Sequence, residues 1–363
     1  MNKTKQFIFF IHRLSLFMAL LLLSACNEEM RESLRPVPTA FGRVNGIAII
    51  ADKALWEGPV GDSLRNYYSS AYLILPQPEP LFDLSHYTIE QLNEETTRRE
   101  LRNYLIVANL EDSSSPTTQM VLQDIGSEKA RRAKEDPSYS TVIGKDKWAQ
   151  GQLLIYQFAH SEDALYANIR KSFPAVAKRF NKADEDKIDA SLFQGGENKR
   201  LTEQLRSKMD VQLRIPSDFF LALDNDDIFW IRKESSKASS SIILKKLKYT
   251  SQAQLTREGI KAVTDSIGRY YVSSQIPKTY QKINDVDLPM FVDITTVNGK
   301  YAVAARGIWE MENDFMGGPF VSYLVHNPEK SELIFLEGFV YAPGEDKRNF
   351  IQNLEYLISQ VRF

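Results

Sequence analysis

The sequence predicts an α+β protein of two α/β-sandwich-like domains, the second an antiparallel sheet with packed helices. Three observations carry this expectation. Short β-branched apolar runs alternate with helical segments from residue 41 to about 185, the pattern of strands and helices that share one layered core. A charged stretch containing "QGGENK" (194–199) then interrupts the apolar periodicity, and strand-type runs resume at "VQLRIPSDFFLAL" (211–223). Finally, Asn298-Gly299 stands between two β-branched runs, which is the strongest short-range signal for a hairpin. The expected division is a leader at 1–25, a tether at 26–40, an N-terminal α/β domain at 41–198 and a C-terminal α+β domain at 199–363.

Residues 1–25 have the layout of a secretory leader: Lys3, Lys5 and Arg13, an apolar run from Leu14 to Leu23, then Ser24 and Ala25. The run is about half of the roughly 20 residues that a membrane-spanning helix needs. A longer span counted from Phe7 would put His12 and Arg13 in mid-membrane, at high cost. Cys26 follows at once, the single cysteine of 363 residues. "LSAC" (23–26) resembles the lipobox of bacterial lipoproteins, which implies a diacylglyceryl group on the Cys26 thiol and cleavage that leaves Cys26 as the first mature residue. The alternative is an ordinary leader with a chance cysteine. Acylation of Cys26 would leave no thiol for a disulfide, a nucleophile or a zinc site. Loss of the leader removes three basic residues and no acid, taking the net charge from −2 to −5. That balance excludes the basic face a nucleic-acid binder requires. "LKKLKY" (244–249), the densest basic cluster, suits a solvated edge strand. "NEEMRESLRPVPTA" (27–40) is polar with two prolines, an extended tether. Glu28 and Glu29 resemble the acidic tag of surface-exported lipoproteins in Bacteroidota-type bacteria, or simply keep the tether soluble.

"GRVNGIAIIAD" (42–52) reads as a buried strand, and "WEGPVGDSLRNYYSS" (56–70) as a helix with Asp62 or Ser63 at its start. Prolines at 76, 78 and 80 force "LPQPEPLFDLSHY" (75–87) to be extended, either as a crossing between strands or as a polyproline segment offered to a partner. "TIEQLNEETTRREL" is helical, "RNYLIVANL" a second buried strand, and "SSSPTTQMVLQDIGSEKARRAK" a capped helix. "KWAQGQLLIYQFAH" is a strand, and "SEDALYANIRKSFPAVAKRF" a helix with acids in its first turn. In the second half, a meander over 211–249 precedes an amphipathic helix (251–274), four strands (290–297, 300–311, 319–326, 332–341) and a closing helix at 344–361. This element order is similar in outline to the PsbP/Mog1-like fold.

A two-residue turn at Asn298-Gly299 pairs Val297 with Lys300 and therefore Asp293 with Ala304. Met290, Val292, Ile294, Tyr301, Val303, Ala305 and Trp309 then share the expected core face. Phe291, Asp293, Thr295, Ala302, Ala304, Arg306, Ile308 and Glu310 share the other. Asp293, Arg306 and Glu310 make a charged row, either a clamp for a polar ligand with Arg306 holding a carboxylate or phosphate, or a solvated cross-strand ion pair. "WEMENDFMGGPF" (309–320) is the most unusual composition. Gly317 and Gly318 permit a turn, and Trp309, Phe315, Met316 and Phe320 crowd it, as a pocket lip, a partner-docking loop, or a loop folded back onto the core.

Catalytic sets are missing from the pattern. His86, His160 and His326 lie far apart, no G-x-S-x-G occurs, and the acid-rich "LDNDDIF" and "NKADEDKIDA" lack a calcium loop's glycine and terminal glutamate. "WEGPVGDS" lacks the lysine of a phosphate loop. No cofactor, metal site or catalytic residue is expected. The stretches "LWEGPVGDSLRNYY", "LPQPEPLFDLSHYT", "RELRNYLIVANL" and "RGIWEMENDFMGGPF" together resemble an uncharacterised lipoprotein family of Bacteroidota-type bacteria, a domain of unknown function, over nearly the whole mature chain. The resemblance implies an envelope lipoprotein and brings no activity. The expected function is a non-enzymatic outer-membrane lipoprotein, periplasmic-facing or on the cell surface, held by lipid on Cys26 and binding a partner protein or envelope ligand. The alternatives are a hydrolase of cell-wall or glycan material using Asp293 or Glu310 as acid or base, and a brace in an envelope assembly.

Overall fold

The computed structural model describes residues 37–225 and 227–363; the leader, Cys26 and tether residues 26–36 lie outside them. Residues 46–159 build a five-stranded sheet from β1 (Gly46–Ile50), β2 (Asp83–Tyr87), β3 (Asn103–Asn109), β4 (Thr141–Lys145) and β5 (Leu153–Ala159). Its order is β2-β1-β3-β5-β4, parallel except for β4 against β5. Between the strands run α1 (Lys53–Glu57), α2 (Pro59–Tyr68), α3 (Ile89–Glu94) and α4 (Pro116–Glu135), and α5 (Glu162–Leu192) follows β5. β1 and β3 are apolar on both faces because both faces are covered. Ile47, Ile49, Leu105 and Val107 pack with Leu64, Tyr68, Ile169 and Phe180 of α2 and α5. Ala48, Ile50, Tyr104 and Ile106 pack with Leu92, Val121 and Ile125 of α3 and α4.

The charged stretch expected to be a break is mostly helical. α5 runs through Pro174 to Leu192, and α6 (Lys199–Met209) starts after Asn198, whose side chain accepts from Leu201 N. Most of their charges face solvent, buried Asp184 excepted, whereas Ile188, Leu192, Leu201, Leu205 and Met209 enter the core of the second sheet. That sheet comprises β6 (Phe220–Asn225), β7 (Ile228–Glu234), β8 (Ser239–Lys248), β9 (Tyr280–Asn284), β10 (Phe291–Val297), β11 (Lys300–Glu312), β12 (Gly317–Asn327) and β13 (Glu332–Tyr341). The order is β10-β11-β12-β13-β8-β7-β6, with β9 beside β10 on the edge of β11, and the strands are antiparallel. α7 (Arg257–Tyr271) and β9 cover one face; α6, α8 (Arg348–Ser359), the end of α5 and residues 74–75 cover the other. The fold is thus mixed α+β, a largely parallel sheet joined to a curled antiparallel one.

The hairpin register is as expected, Val297 opposite Lys300 and Asp293 opposite Ala304, with left-handed Asn298 (φ 47°) and Gly299 (φ 76°) making the turn. The division into a core face and a wet face is corrected. Both faces of this sheet are buried, so Ala302 and Ala304 sit in one core while Met290, Val303, Ala305 and Trp309 sit in the other. Ile294 and Tyr301, expected inside, are exposed near the hairpin tip, which stands clear of both cores.

The proline-rich segment crosses to the second sheet rather than offering itself outward. Its Glu79 carboxylate accepts from Lys347 N (2.6 Å) and Arg348 N (2.9 Å), capping α8, which has no cap from its own chain neighbours. Arg348 in turn grips Asp83 at 2.8 and 3.3 Å. Nearby, buried Asp184 accepts from Asn45 N (2.6 Å) and Asn103 Nδ2 (3.1 Å), and the Asn45 side chain bonds Gln352 of α8 (2.7 and 3.2 Å). Burial pulls the Asp184 carboxyl above its usual pKa in spite of these donors and of Arg102 at 3.2 Å. One change tests the clasp. Glu79→Gln keeps one acceptor but discards the charge at the helix terminus, and urea unfolding should show a loss of about 1–2 kcal/mol. An unchanged midpoint would mean that solvent satisfies the α8 terminus equally well.

Candidate functional site

The residues singled out in the sequence separate into three groups. Arg306 projects from β11 toward α8, donating from Nε to Glu355 (2.7 Å) and from Nη2 to Tyr323 OH (3.3 Å), and Tyr72 OH donates to the other Glu355 oxygen (2.9 Å). Asp293 lies 3.8 Å from Arg306 with its side chain 71% exposed. Glu310 is not part of this row: it sits four residues along the strand, bound to Lys282 (3.1 Å) and Asn284 (2.8 Å). Arg306 is therefore committed within the chain, and burial next to Glu355 pushes the Tyr72 hydroxyl well above its usual pKa.

Of the alternatives for the "WEMENDFMGGPF" loop, the structure shows the one folded back onto the core and corrects the lip and the glycine turn. Trp309 and Phe320 are core residues, and Met316 packs partly against them, so none of the three forms an open lip. Gly317 and Gly318 belong to β12 and are not left-handed; Asn313 (φ 62°) makes the turn instead. The Gly318 requirement is close approach: an added Cβ would stand 2.0 Å from Val340 O, the carbonyl that also accepts from Trp309 Nε1 (3.2 Å). Phe315 alone of this set is fully exposed.

In a doubly wound sheet the ligand crevice lies outside the carboxyl ends of the strands where the order reverses, here between β1 and β3. This chain fills that place itself. The Asp52 carboxylate, just after β1, accepts from Ser115 Oγ and from Thr117 Oγ1 (2.6 Å) at the start of α4. His86 lies beside it, stacked on Trp56 (centroids 4.8 Å apart), with Nε2 2.9 Å from Ala51 O. Burial lowers the His86 pKa.

Open space lies at the opposite end. A cavity of about 540 Å³ runs along β2 and the starts of β1 and β3, lined by Arg43, Gly46, Asp83, Ser85, Tyr87 and Arg102 among others. A second, of about 460 Å³, shares Arg43 and Asp83 with it and continues to Glu79, Asp346 and Arg348. Together they form a cleft that runs from the first sheet to the start of α8; the clasp residues Glu79 and Arg348 wall the smaller cavity, and Asp83 is shared by both. Its volume suits a small ligand. No motif spacing in the sequence points to it, because its walls come from three strand starts and the last helix.

Sequence reasoning also missed Glu337. It sits in mid-strand on β13, opposite Ser322 and Ile243, and is 0% exposed under α7. Gln281 Nε2 donates to Oε1 (3.3 Å), while Glu337 Oε2 and Gln281 Oε1 have no donor among the described residues. Burial, and then the negative charge of Asp265 on α7, raise its pKa to about 8. A protonated Oε2 supplies a donor where both orphaned oxygens are acceptors. The folded-state pKa lies above the ordinary 4.5 of the unfolded chain, so this contribution is fully present below about pH 4.5 and is lost as pH rises through about 8. Glu337→Gln removes the titration. Its stability should match wild type near pH 5 and exceed it by about 2–4 kcal/mol near pH 9. Parallel stability–pH curves for the two proteins would contradict a neutral buried carboxyl.

Comparison with known proteins adds the following. No curated protein matches the chain. Among solved structures, the chain is similar to the Ran-binding protein Mog1p of Saccharomyces cerevisiae at 10% identity, covering 42% of this chain and 89% of that one, with a TM-score of 0.28. A point mutant of protein Mog1 matches at 12% identity with the same coverages and TM-score. A TM-score of 0.28 carries nothing about function. Residues 40–193 match the family model described as "Domain of unknown function (DUF8532)", and residues 198–360 match "Domain of unknown function (DUF4837)". The chain therefore carries two domains of unknown function, which between them cover most of its length.

Proposed function

We propose that the protein is a lipid-anchored envelope lipoprotein of the Bacteroidota type that binds a small envelope ligand in the cleft between its first sheet and the start of α8 and does no chemistry on it. The observation that carries the reading is the cleft: two adjoining cavities whose shared wall residues, Arg43 and Asp83, lie beside the clasp that joins the sheets. The leader and "LSAC" support the address, and the tether enters the body at Phe41 and Gly42, on the lip of the larger cavity. A hydrolase acting through Asp293 or Glu310 draws less support, since Asp293 stands largely in water and Glu310 is held by Lys282.

A second reading rests on Phe315, a fully exposed aromatic at the tip of the β11–β12 turn, where a partner protein would dock. One purification separates the two. The natively lipidated protein is isolated from mildly solubilised membranes, and bound small molecules and proteins are identified by mass spectrometry. The cleft reading expects a near-stoichiometric small molecule that Ser85→Trp, which fills the cavity, expels and Phe315→Ala retains. A protein lost on Phe315→Ala, with no small molecule in either sample, would replace it with an adaptor role. Turnover of an envelope polymer that one point substitution abolishes would end both. For the anchor, Cys26→Ala should leave an uncleaved or soluble form; a mutant processed normally and still in the membrane fraction would refute lipidation at Cys26.

A further inference from the structure

The larger cavity is chemically one-sided. Arg43 is exposed on its lip, and among the described residues its guanidinium makes neither a hydrogen bond nor an ion pair. Arg102 lines the wall with only 12% of its side chain exposed. Its Nη2 donates to Ala183 O (2.7 Å) and its Nη1 stands 3.2 Å from Oδ1 of buried Asp184, so this guanidinium is paired within the chain. The one carboxylate on this wall, Asp83, is already engaged by Arg348. The hydroxyls of Ser85 and Tyr87 also line the space, and among the described residues neither has a side-chain hydrogen-bond partner. The Arg43 guanidinium and two hydroxyls therefore face a cavity whose only lining acid, Asp83, is engaged by Arg348.

The contrast with a third cavity, of about 530 Å³ and also lined by arginines, sharpens this. There Arg206 donates to both oxygens of Glu203 (2.9 and 2.6 Å), and Arg214 pairs with Asp189 at 3.2 Å, so those charges are spent within the chain. An arginine fork left open, as that of Arg43 is among the described residues, matches the planar geometry of carboxylate and phosphate oxygens.

We infer that the cavity along β2 and the starts of β1 and β3 binds an oxyanion, the phosphate or carboxylate of a small ligand, with Arg43 as its charged contact and Ser85 and Tyr87 as hydroxyl partners. This rests on the binding reading above and names its ligand class. Two sources carry the chemistry: a free phosphorylated or carboxylated solute, and the phosphate of a lipid headgroup. The second is in reach, because Phe41 on the lip follows Cys26 by 15 residues, a span of at most about 50 Å.

The test uses full-length protein. Glycerol 3-phosphate is titrated by calorimetry into the lipidated protein, and phosphatidylglycerol vesicles are used to sediment the unlipidated Cys26→Ala chain. Saturable binding weakened at least tenfold by Arg43→Ala, abolished by Ser85→Trp and unchanged by Arg206→Ala is the expected result. Among the described residues Arg43 has no hydrogen-bond or ion-pair partner to lose, so its variant tests the contact rather than folding; Ser85→Trp is checked by its urea midpoint. Binding of glycerol 3-phosphate assigns a free solute, and Arg43-dependent binding of vesicles alone assigns a headgroup. Binding indifferent to Arg43→Ala, equal loss in Arg206→Ala, or no binding of either probe overturns the inference. If neither probe binds while an uncharged molecule still copurifies in a Ser85→Trp-sensitive manner, the anion fails and the cleft reading stands. If nothing copurifies either, both fail.

Discussion

Glu79 closes the amino terminus of the last helix with a carboxylate supplied from 268 residues earlier in the chain. A helix end leaves backbone N–H groups without partners, and burying them unsatisfied is costly. α8 begins in a buried setting and has no capping side chain of its own, so its first amides depend on the proline-rich crossing. The same crossing supplies Asp83 to Arg348, and the α5 carboxylate of Asp184 ties the starts of β1 and β3 to the turn that bonds Gln352. Charge and hydrogen bonds, more than apolar area alone, thus set how the two sheets meet. The cleft is the space left beside these contacts, and it inherits its polar walls from them.

That arrangement reverses the usual polarity of a doubly wound sheet. The carboxyl-end crevice, where such sheets hold ligands, is filled by Asp52, Trp56 and His86, with Asp52 taking the hydroxyls at the start of α4 that an anion would otherwise compete for. A family resemblance in such a sheet would not reveal this, since function follows the site and not the fold.

Legibility in the sequence followed the range of the interaction. The Asn298-Gly299 hairpin and its register came from a two-residue turn, and most helices and buried strands from local periodicity. β4 and β9 went unseen, five residues each with weak alternation, stabilised by neighbours found only on folding. α5 was cut short because its charged second half reads as linker, while its buried side chains face a sheet that begins some 30 residues later. The hairpin register puts Trp309 on the core face, but the glycines after it, which usually signal turns, left a pocket lip or docking loop open beside a loop folded back onto the core. Gly318 answers a different demand, the approach of the Val340 carbonyl from a strand distant in sequence.

What the sequence determined by itself is therefore local and compositional: the element types, the hairpin, the acidic balance and the expectation of an anchor at Cys26. Backbone propensity, turn geometry and residue spacing act over a few positions and leave a direct trace in the order of residues. Which charges are spent and which remain open was decided only by the tertiary structure. Arg306, Arg348 and Arg43 look alike in the sequence, yet Glu355 takes the first and Asp83 the second, while Arg43 faces a cavity with no partner among the described residues. Glu337 sits in an ordinary strand and becomes a neutral acid only because α7 removes it from water. Ionisation and pairing depend on burial and on partners brought from distant positions, and neither exists until the chain has folded.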